Sequence, residues 1–339
     1  MDDQSVDVRQ HYIPRMLLKN FTDTGRKDGA LYEYDAAEKR VARRNCARAA
    51  AEPRFYELET PGISPHDIEQ SFNRVETAGA HALAWTMKQG RLPSPGTPDY
   101  DALLSFIALM LLRVPHWRDE IRAVERDVSR AIVRAALETE ESWQSFLGTY
   151  HADTPESEWP GLEAMRQEAE ARDHYYPILD VRSFHTGKIF DILGWLPVAL
   201  HLRRWSLLVA TDEDVDFVLS DRPVTIVWAP AMGPQTHEGL PGLVDIPSEI
   251  AFPLSSRIAV IGRYDLVGGV VSPGRGQVMD DVIPADKLIT AELNARTAYW
   301  ASRYVYARRN DFFALGQPHD QLLTAEDWFR LKGPPESSD

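Results

Sequence analysis

The sequence predicts an α+β fold. A central, largely helical layer over residues 64–203 is expected to pack on a mostly antiparallel sheet from the C-terminal third plus an N-terminal hairpin. Three observations predict this. Apolar residues recur at helical spacing through residues 64–203. From Trp205 onward, short β-branched and aromatic runs are separated by Gly and Pro. A further pair of such runs stands near Leu31 and Val41. Strands segregated from helices argue against an alternating βαβ chain.

Residues 1–9 are polar and expected to be loose. Gln10-His11-Tyr12-Ile13-Pro14 begins the ordered chain, and Arg15 to Phe21 carries Met16, Leu17 and Phe21 at helical spacing. Asp28-Gly29 signals a turn, Leu31 to Tyr34 alternates as a strand, and a second strand near Val41 completes a hairpin. Ser64-Pro65-His66-Asp67 reads as a helix start with Ser64 as N-cap. That helix is expected to bury Ile68, Phe72, Val75, Gly79 and Leu83, with Glu76 beside the apolar stripe. Tyr100 to Leu137 reads as helical but broken at Arg113-Val114-Pro115, because proline has no N–H for the Leu111 carbonyl. Its first half is apolar almost all round, and its second half is expected to bury Ile121, Val124, Val128, Ile132 and Ala135. Thr186 to Leu202 predicts a helix bent near Gly194 and Pro197. Strands follow at Trp205 to Thr211, Phe217 to Leu219, Val224 to Trp228, Ile250 to Phe252 and Ile258 to Ile261, with a long loop at Pro230 to Pro247. Ala285 to Ser302 forms a closing helix bearing Leu288, Ile289, Leu293 and Tyr299. No linker separates two cores, so residues 10–315 are expected to form a single intertwined domain, with 316–339 peripheral.

The 339 residues are 44% hydrophobic and 26% charged, which suits a soluble protein with a substantial core. A net charge of −14 disfavours general attraction to phosphate backbones. A single cysteine, Cys46, excludes an internal disulfide and points to a reducing cytoplasm. No basic-then-apolar signal segment opens the chain, and the longest apolar run, Phe106 to Leu112, is too short to span a membrane. There is no CxxC, HExxH or Gly-rich phosphate loop. One local exception to the acidic balance is the segment with Arg26, Lys27, Lys39, Arg40, Arg43, Arg44 and Arg48. Arg43, Arg44 and Arg48 would lower the Cys46 thiol pKa, and the segment as a whole would suit a phosphate backbone.

Chemistry is sought where polar side chains stand at element ends. Asp216 to Val224 reads as a strand that closes in the turn Ser220-Asp221-Arg222-Pro223. Asp221 is either a base, an orienting group or a metal ligand, or it caps its own turn. His11 can exchange a proton near neutral pH, or it pins the N-terminal segment to a carbonyl. Arg113, at a helix break, needs an anion: a ligand phosphate or carboxylate, or Asp221 in a structural ion pair. His11, Asp221, Arg113 and Glu76 form the candidate catalytic set, with Gln10, Ser220, Arg222 and Asn294 as substrate-binding candidates. The set suits hydrolysis of a phosphoester or an amide-like bond. It also suits metal-assisted hydrolysis with Glu76 and Asp221 as oxygen ligands, although no motif supports a divalent metal. Ser220 lacks the Gly-x-Ser-x-Gly frame, which argues against a serine hydrolase. Two other readings stand beside this one: a nucleic-acid-handling effector or nuclease acting through the basic 26–48 segment, and a non-enzymatic binding or scaffold protein. The expected partner is a small molecule or a nucleic acid, not a membrane.

Gln10 to Pro14 with Leu18 to Phe21, Leu219 to Val224, and Pro253-Leu254-Ser255 together resemble a large, uncharacterised bacterial family. Its members open with Gln-His-(Tyr/Phe)-(Val/Ile)-Pro and Leu-x-x-Phe, and later carry Thr-Ser-Asp-x-Pro-Val and Pro-Leu-Ser. Arg113-x-Pro115 and Leu293-Asn294 look like the family too. Leu219 stands where the family commonly has Thr, so a hydroxyl role is absent there. The resemblance spans residues 10 to about 307. It implies that these polar residues belong to one site, and it brings no activity or cofactor.

Overall fold

Helix breaks in this chain fall where proline removes a backbone donor, and strands fall where β-branched and aromatic residues cluster. The computed structural model describes residues 9–53, 55, 65–150, 155, 159–172, 189, 191–228, 241–243, 245, 248–267, 270–272, 282–312, 314–315 and 322–323. The expected Ser64 cap, most of the 230–247 loop and most of the 316–339 segment lie outside these residues.

In chain order the elements are β1 (Arg9–His11), α1 (Arg15–Leu18), β2 (Ala30–Asp35), β3 (Arg40–Asn45), β4 (Ala51–Pro53), α2 (Pro65–Gln89), α3 (Pro98–Leu112), α4 (Pro115–Ala136), α5 (Glu140–Tyr150) and α6 (Leu162–Arg172). There follow α7 (Leu196–His201), β5 (Arg204–Ala210), β6 (Leu219–Ser220), β7 (Thr225–Trp228), β8 (Ser248–Pro253), β9 (Ile258–Arg263), β10 (Asp265–Val267), β11 (Val270–Ser272), β12 (Val282–Ala285), α8 (Lys287–Trp300) and β13 (Tyr304–Ala307). The chain is thus an α+β fold.

The strands form two main sheets, both containing strands from the C-terminal third. One runs β12-β5-β9-β8-β7, antiparallel except where β12 lies parallel to β5. The other runs β3-β2-β13-β6 and is antiparallel throughout. The N-terminal hairpin therefore joins the late strand β13, with Tyr34 opposite Val305. The turn 221–224 carries the chain from β6 in one sheet to β7 in the other. A separate ribbon pairs β1 with β4, placing His11 opposite Ala51.

Helix α3 is central. Leu104, Phe106, Ile107, Ala108, Leu109 and Met110 are fully buried and share one core with Leu17, Phe252 and Tyr306. Pro98 starts α3 behind Thr97, whose side chain caps Tyr100 N. The helix ends at Leu112, and Pro115 restarts the chain as α4, as the missing proline donor requires. Helices α2 and α3 approach closely at Gly79, where an added Cβ would lie 2.7 Å from Phe106 Cβ and Cγ. We expect Gly79→Ala to lower stability by about 1–2 kcal/mol, since overpacking outweighs the gain in helix propensity of about 1 kcal/mol. Chemical denaturation checks this; a more stable variant would mean that the two helices separate without penalty.

Two helices present faces other than those expected. In α4, Val124 and Val128 are exposed, at 61% and 50%, while Glu125, Ser129, Val133 and Ala136 are buried. The inward polar pair is satisfied by a 2.7 Å bond from Ser129 Oγ to Glu125 Oε1, and Val133 and Ala136 pack with Trp143 and Leu147 of α5. In α8, Leu288, Ile289 and Tyr299 are exposed, while Ala291, Leu293, Asn294, Thr297 and Ala298 face inward. Small residues let this helix lie close to the 216–218 backbone. Asn294 then bonds that backbone, so the expected strand at Phe217 to Leu219 shrinks to Leu219–Ser220. Among the described residues, no helix is long and apolar enough to cross a membrane.

Candidate functional site

Asp221 ends β6 on the face of the four-stranded sheet that also bears Leu219, because side chains alternate along a strand. Its carboxylate is buried and accepts three backbone N–H bonds, from Ser302 (2.8 Å), Arg303 (2.7 Å) and Tyr304 (3.0 Å). Asp221 therefore clamps the loop between α8 and β13. Burial pushes its carboxyl up to about 6, against the three N–H bonds and the Arg222 charge. Ser220 Oγ donates to the Arg222 carbonyl at 2.8 Å, which closes the turn locally. Arg222 points elsewhere and lies over the Trp300 ring, 4.4 Å from its centroid.

His11, Arg113 and Glu76 do come together, but as a clamp. Arg113 Nη1 pairs with Glu76 Oε1, and Nη2 donates to the His11 carbonyl at 2.6 Å. The guanidinium also lies over Phe72, 5.0 Å from the ring centroid. The anion that Arg113 needs is therefore Glu76, not Asp221. The His11 ring bonds the Cys46 carbonyl through Nε2 at 2.9 Å, which pins the N-terminal segment. Burial holds the imidazole below its usual range, opposed by that backbone bond. Burial also pushes the Cys46 thiol up, outweighing Arg15, so the basic segment does not yield a reactive thiolate. Gln10 sits in β1 opposite Glu52.

Asn294 replaces a strand partner. Its Oδ1 accepts from Val218 N (3.0 Å) and its Nδ2 donates to the Asp216 carbonyl (2.8 Å), both buried. The Asp216 carboxylate below it is held by Arg308 (2.9 and 3.0 Å), Arg309 (3.1 Å) and Arg257 (3.3 Å). These contacts are architectural.

An open cleft of about 710 Å³ lies over the sheet face that carries Asp221. The β2–β13 register puts Glu33 opposite Tyr306 and Asp35 opposite Tyr304, so Glu33, Tyr304 and Tyr306 share that face. The hairpin adds Arg44 and Arg48, the β1–β4 ribbon adds Arg9 and Glu52, and the first turn of α4 adds Arg118 and Asp119. Arg303, presented by the loop that Asp221 clamps, completes five arginines against the carboxylates of Glu33, Glu52, Asp119 and Asp221. Three arginines bond their carboxylates with only part of their donors. Arg44 uses Nε on Glu33 (3.1 Å), Arg118 uses Nη1 on Glu52 (3.0 Å), and Arg303 uses Nε and Nη2 on Asp35 (3.0 and 2.8 Å). Arg48 is exposed and has no ion-pair partner among the described residues. Burial raises Glu33 despite Arg44. At the cleft wall the buried hydroxyls of Tyr12 and Tyr306 are 3.0 Å apart. One donates to the other, which leaves the second proton for a further acceptor. Both phenols are raised well above their usual value, chiefly by burial, and so remain protonated donors.

Of the eight expected site residues, Asp221 alone lines the cleft. His11, Arg113, Glu76, Ser220 and Asn294 hold the scaffold around it. Glu76 and Asp221 are not joined as a metal-binding pair, since Glu76 is taken by Arg113 and Asp221 by backbone. Among the described residues, no three His, Cys, Asp or Glu side chains gather as a metal-holding group. The sequence reading missed Tyr12, Glu33, Glu52, Arg118, Arg303, Tyr304 and Tyr306 as site residues. The available signal was the period-two pattern in Tyr32-Glu33-Tyr34-Asp35 and Tyr304-Val305-Tyr306, which sets polar groups on one sheet face.

A family model described as "Protein of unknown function (DUF4238)" matches residues 9–311, so the chain belongs to that family. This agrees with the resemblance carried by the Gln10 and Ser220-Asp221 motifs. No curated protein and no solved structure matches the chain.

Proposed function

We propose that this member of the DUF4238 family is a cytoplasmic hydrolase that binds a phosphoester in the arginine-walled cleft. The observation that carries the reading is five arginines around one cleft of about 710 Å³, three of them with donors left over after bonding a carboxylate. Arginine forks suit phosphate oxygens, and several forks around one anion spread the charge of a phosphoryl group in transfer. A water in the cleft would attack phosphorus as the ester P–O bond breaks. A carboxylate that titrates near the working pH is a suitable base for that water. Asp221, pushed up to about 6, is such a group in the cleft, and burial shifts Glu33 beside it in the same direction. The Tyr12–Tyr306 pair would donate its spare proton to a phosphoryl or leaving-group oxygen.

Nucleic acid is the less favoured substrate. The basic 26–48 segment is largely matched by its own acids: Arg26 with Asp28 (3.2 Å), Arg40 with Glu38 (2.6 Å), Arg43 with Asp23 (2.6 Å) and Arg44 with Glu33 (3.1 Å). That leaves little charge for backbone phosphates, so a small phosphoester is preferred. The test is a panel of phosphomonoesters, phosphodiesters and short RNA and DNA, followed by release of product. We expect turnover of a small ester, with Arg48→Ala lowering kcat/KM by about tenfold or more at unchanged melting temperature. Saturable binding without turnover would move the protein to the non-enzymatic reading. No binding of any phosphate compound at low salt would remove the phosphate assignment.

A further inference from the structure

The first turn of α4 and the turn 221–224 stand between two cavities. Pro115, Arg118, Asp119 and Asp221 face the cleft, whereas His116, Trp117, Glu120, Arg222 and Val224 face a second cavity of about 410 Å³. The two differ in chemistry. The second has walls of leucine, isoleucine and tryptophan, among them Leu112, Ile192, Leu196, Trp195 and Trp300. Among the described residues its titratable groups are His116, Glu120 and Arg222, beside the indole N–H groups of Trp117 and Trp300. An apolar cavity of this volume with a few polar groups is the usual form of a small-molecule site.

The state of Arg222 identifies what the cavity would take. Its guanidinium is largely buried against the Trp300 ring and, among the described residues, makes no ion pair and no side-chain hydrogen bond. Burial pulls it down to about 10, and the charges of Asp221 and Glu120 offset this only in part. A guanidinium withdrawn from water without a bonded anion is unfavourable, and a ligand anion would relieve it. Among the described residues Arg222 is the one cation facing the cavity without an ion-pair partner, and one cation balances one negative charge. Glu120 stands at the same end of the cavity, 3.3 Å from His116 Nε2, and would repel a doubly charged phosphate. His116 stays neutral, held down to about 4 by burial and then by Arg222, so it adds no second cation. A monoanionic carboxylate fits. Three indoles, Trp117, Trp195 and Trp300, line the remaining space and favour a flat body over an aliphatic chain.

We propose that this second cavity is a binding site for an aromatic carboxylate, with Arg222 gripping the carboxylate and the tryptophans covering the ring. The site is separate from the phosphoester reading, since it shares no side chain with the cleft. The test uses the full chain with indole-3-acetate, 1-naphthoate and 4-phenylbutyrate, followed by calorimetry and tryptophan fluorescence. The neutral control is indole-3-acetamide. We expect saturable binding of at least one carboxylate, quenching of tryptophan emission, and a loss of about tenfold or more both for the amide and in Arg222→Met. Arg222→Lys should recover part of the affinity, which separates lost charge from lost packing. Equal affinity for acid and amide, full binding in Arg222→Met, or no binding by any of the three acids would overturn the proposal. Phosphoester turnover measured in parallel reports on the cleft alone, so either reading can fail without the other.

Discussion

Replacing Arg113 with Met is expected to lower the unfolding free energy by about 3–5 kcal/mol, the largest single effect in this region. Arg113 is 6% exposed, and its guanidinium meets the Glu76 carboxylate, the His11 carbonyl and the face of Phe72. Removing it leaves a half-buried carboxylate without its cation and a carbonyl without its donor. It also loosens β1 from the junction of α3 and α4. The double variant Arg113→Met with Glu76→Leu should recover much of the loss, because an apolar pair of similar volume leaves no charge stranded. Equilibrium denaturation of the two single variants and the double gives the coupling directly. If the double is as unstable as the sum of the singles, the Arg113–Glu76 clamp is not what holds this junction. Such a result would reopen Arg113 as a ligand-binding group.

Asp221→Ala should lower stability by about 3 kcal/mol, since three backbone N–H groups lose one shared acceptor. It should also disturb the cleft, because the same carboxylate sets the loop that presents Arg303 and Tyr304. The pH dependence separates two physical accounts of this residue. Burial raises the folded-state carboxyl from an ordinary 3.8 to about 6, with the N–H bonds opposing. The folded chain then holds this proton more tightly than the unfolded chain. Stability from this group is fully present below about pH 4 and is lost as pH rises through 6, by about 3 kcal/mol in all. The stability gap between the parent protein and Asp221→Ala should therefore widen on acidification from pH 7 to pH 5. A gap that narrows instead would show that the three N–H bonds outweigh burial and hold the carboxyl low.

Much of the fold was readable because its signals are local. Proline at 115 placed the break between α3 and α4, and the apolar run around Phe106 marked the central helix. The hairpin and four strands of the five-stranded sheet, β5, β7, β8 and β9, fell close to their predicted runs, whereas β12 was not expected. Helix faces were less readable. Val124 and Val128 form a good apolar stripe, yet the partner of α4 is α5, and its Trp143 lies against Val133 and Ala136. A stripe records which residues are apolar, and only packing decides which of them are covered.

The site divides the same way. Asp221, Arg113 and His11 stood out in sequence as polar groups at element ends and Asn294 as a polar group on a helix, and each makes specific bonds away from bulk solvent. What they bond to is separated in sequence by 35 to 102 residues, so spacing could not say whether the partner is a ligand, a side chain or a backbone group. The sequence alone determined most element types, the helix break at Pro115 and a few polar positions that make specific bonds, Asp221 among them. The tertiary structure decided that Arg113 meets Glu76, that Asp221 and Arg222 face different cavities, and that five arginines from distant segments surround one cleft. The physical reason is that propensity and periodicity act over a few residues, whereas an ion pair or a cavity wall is set by the register of β2 on β13 and by the placement of the α4 turn.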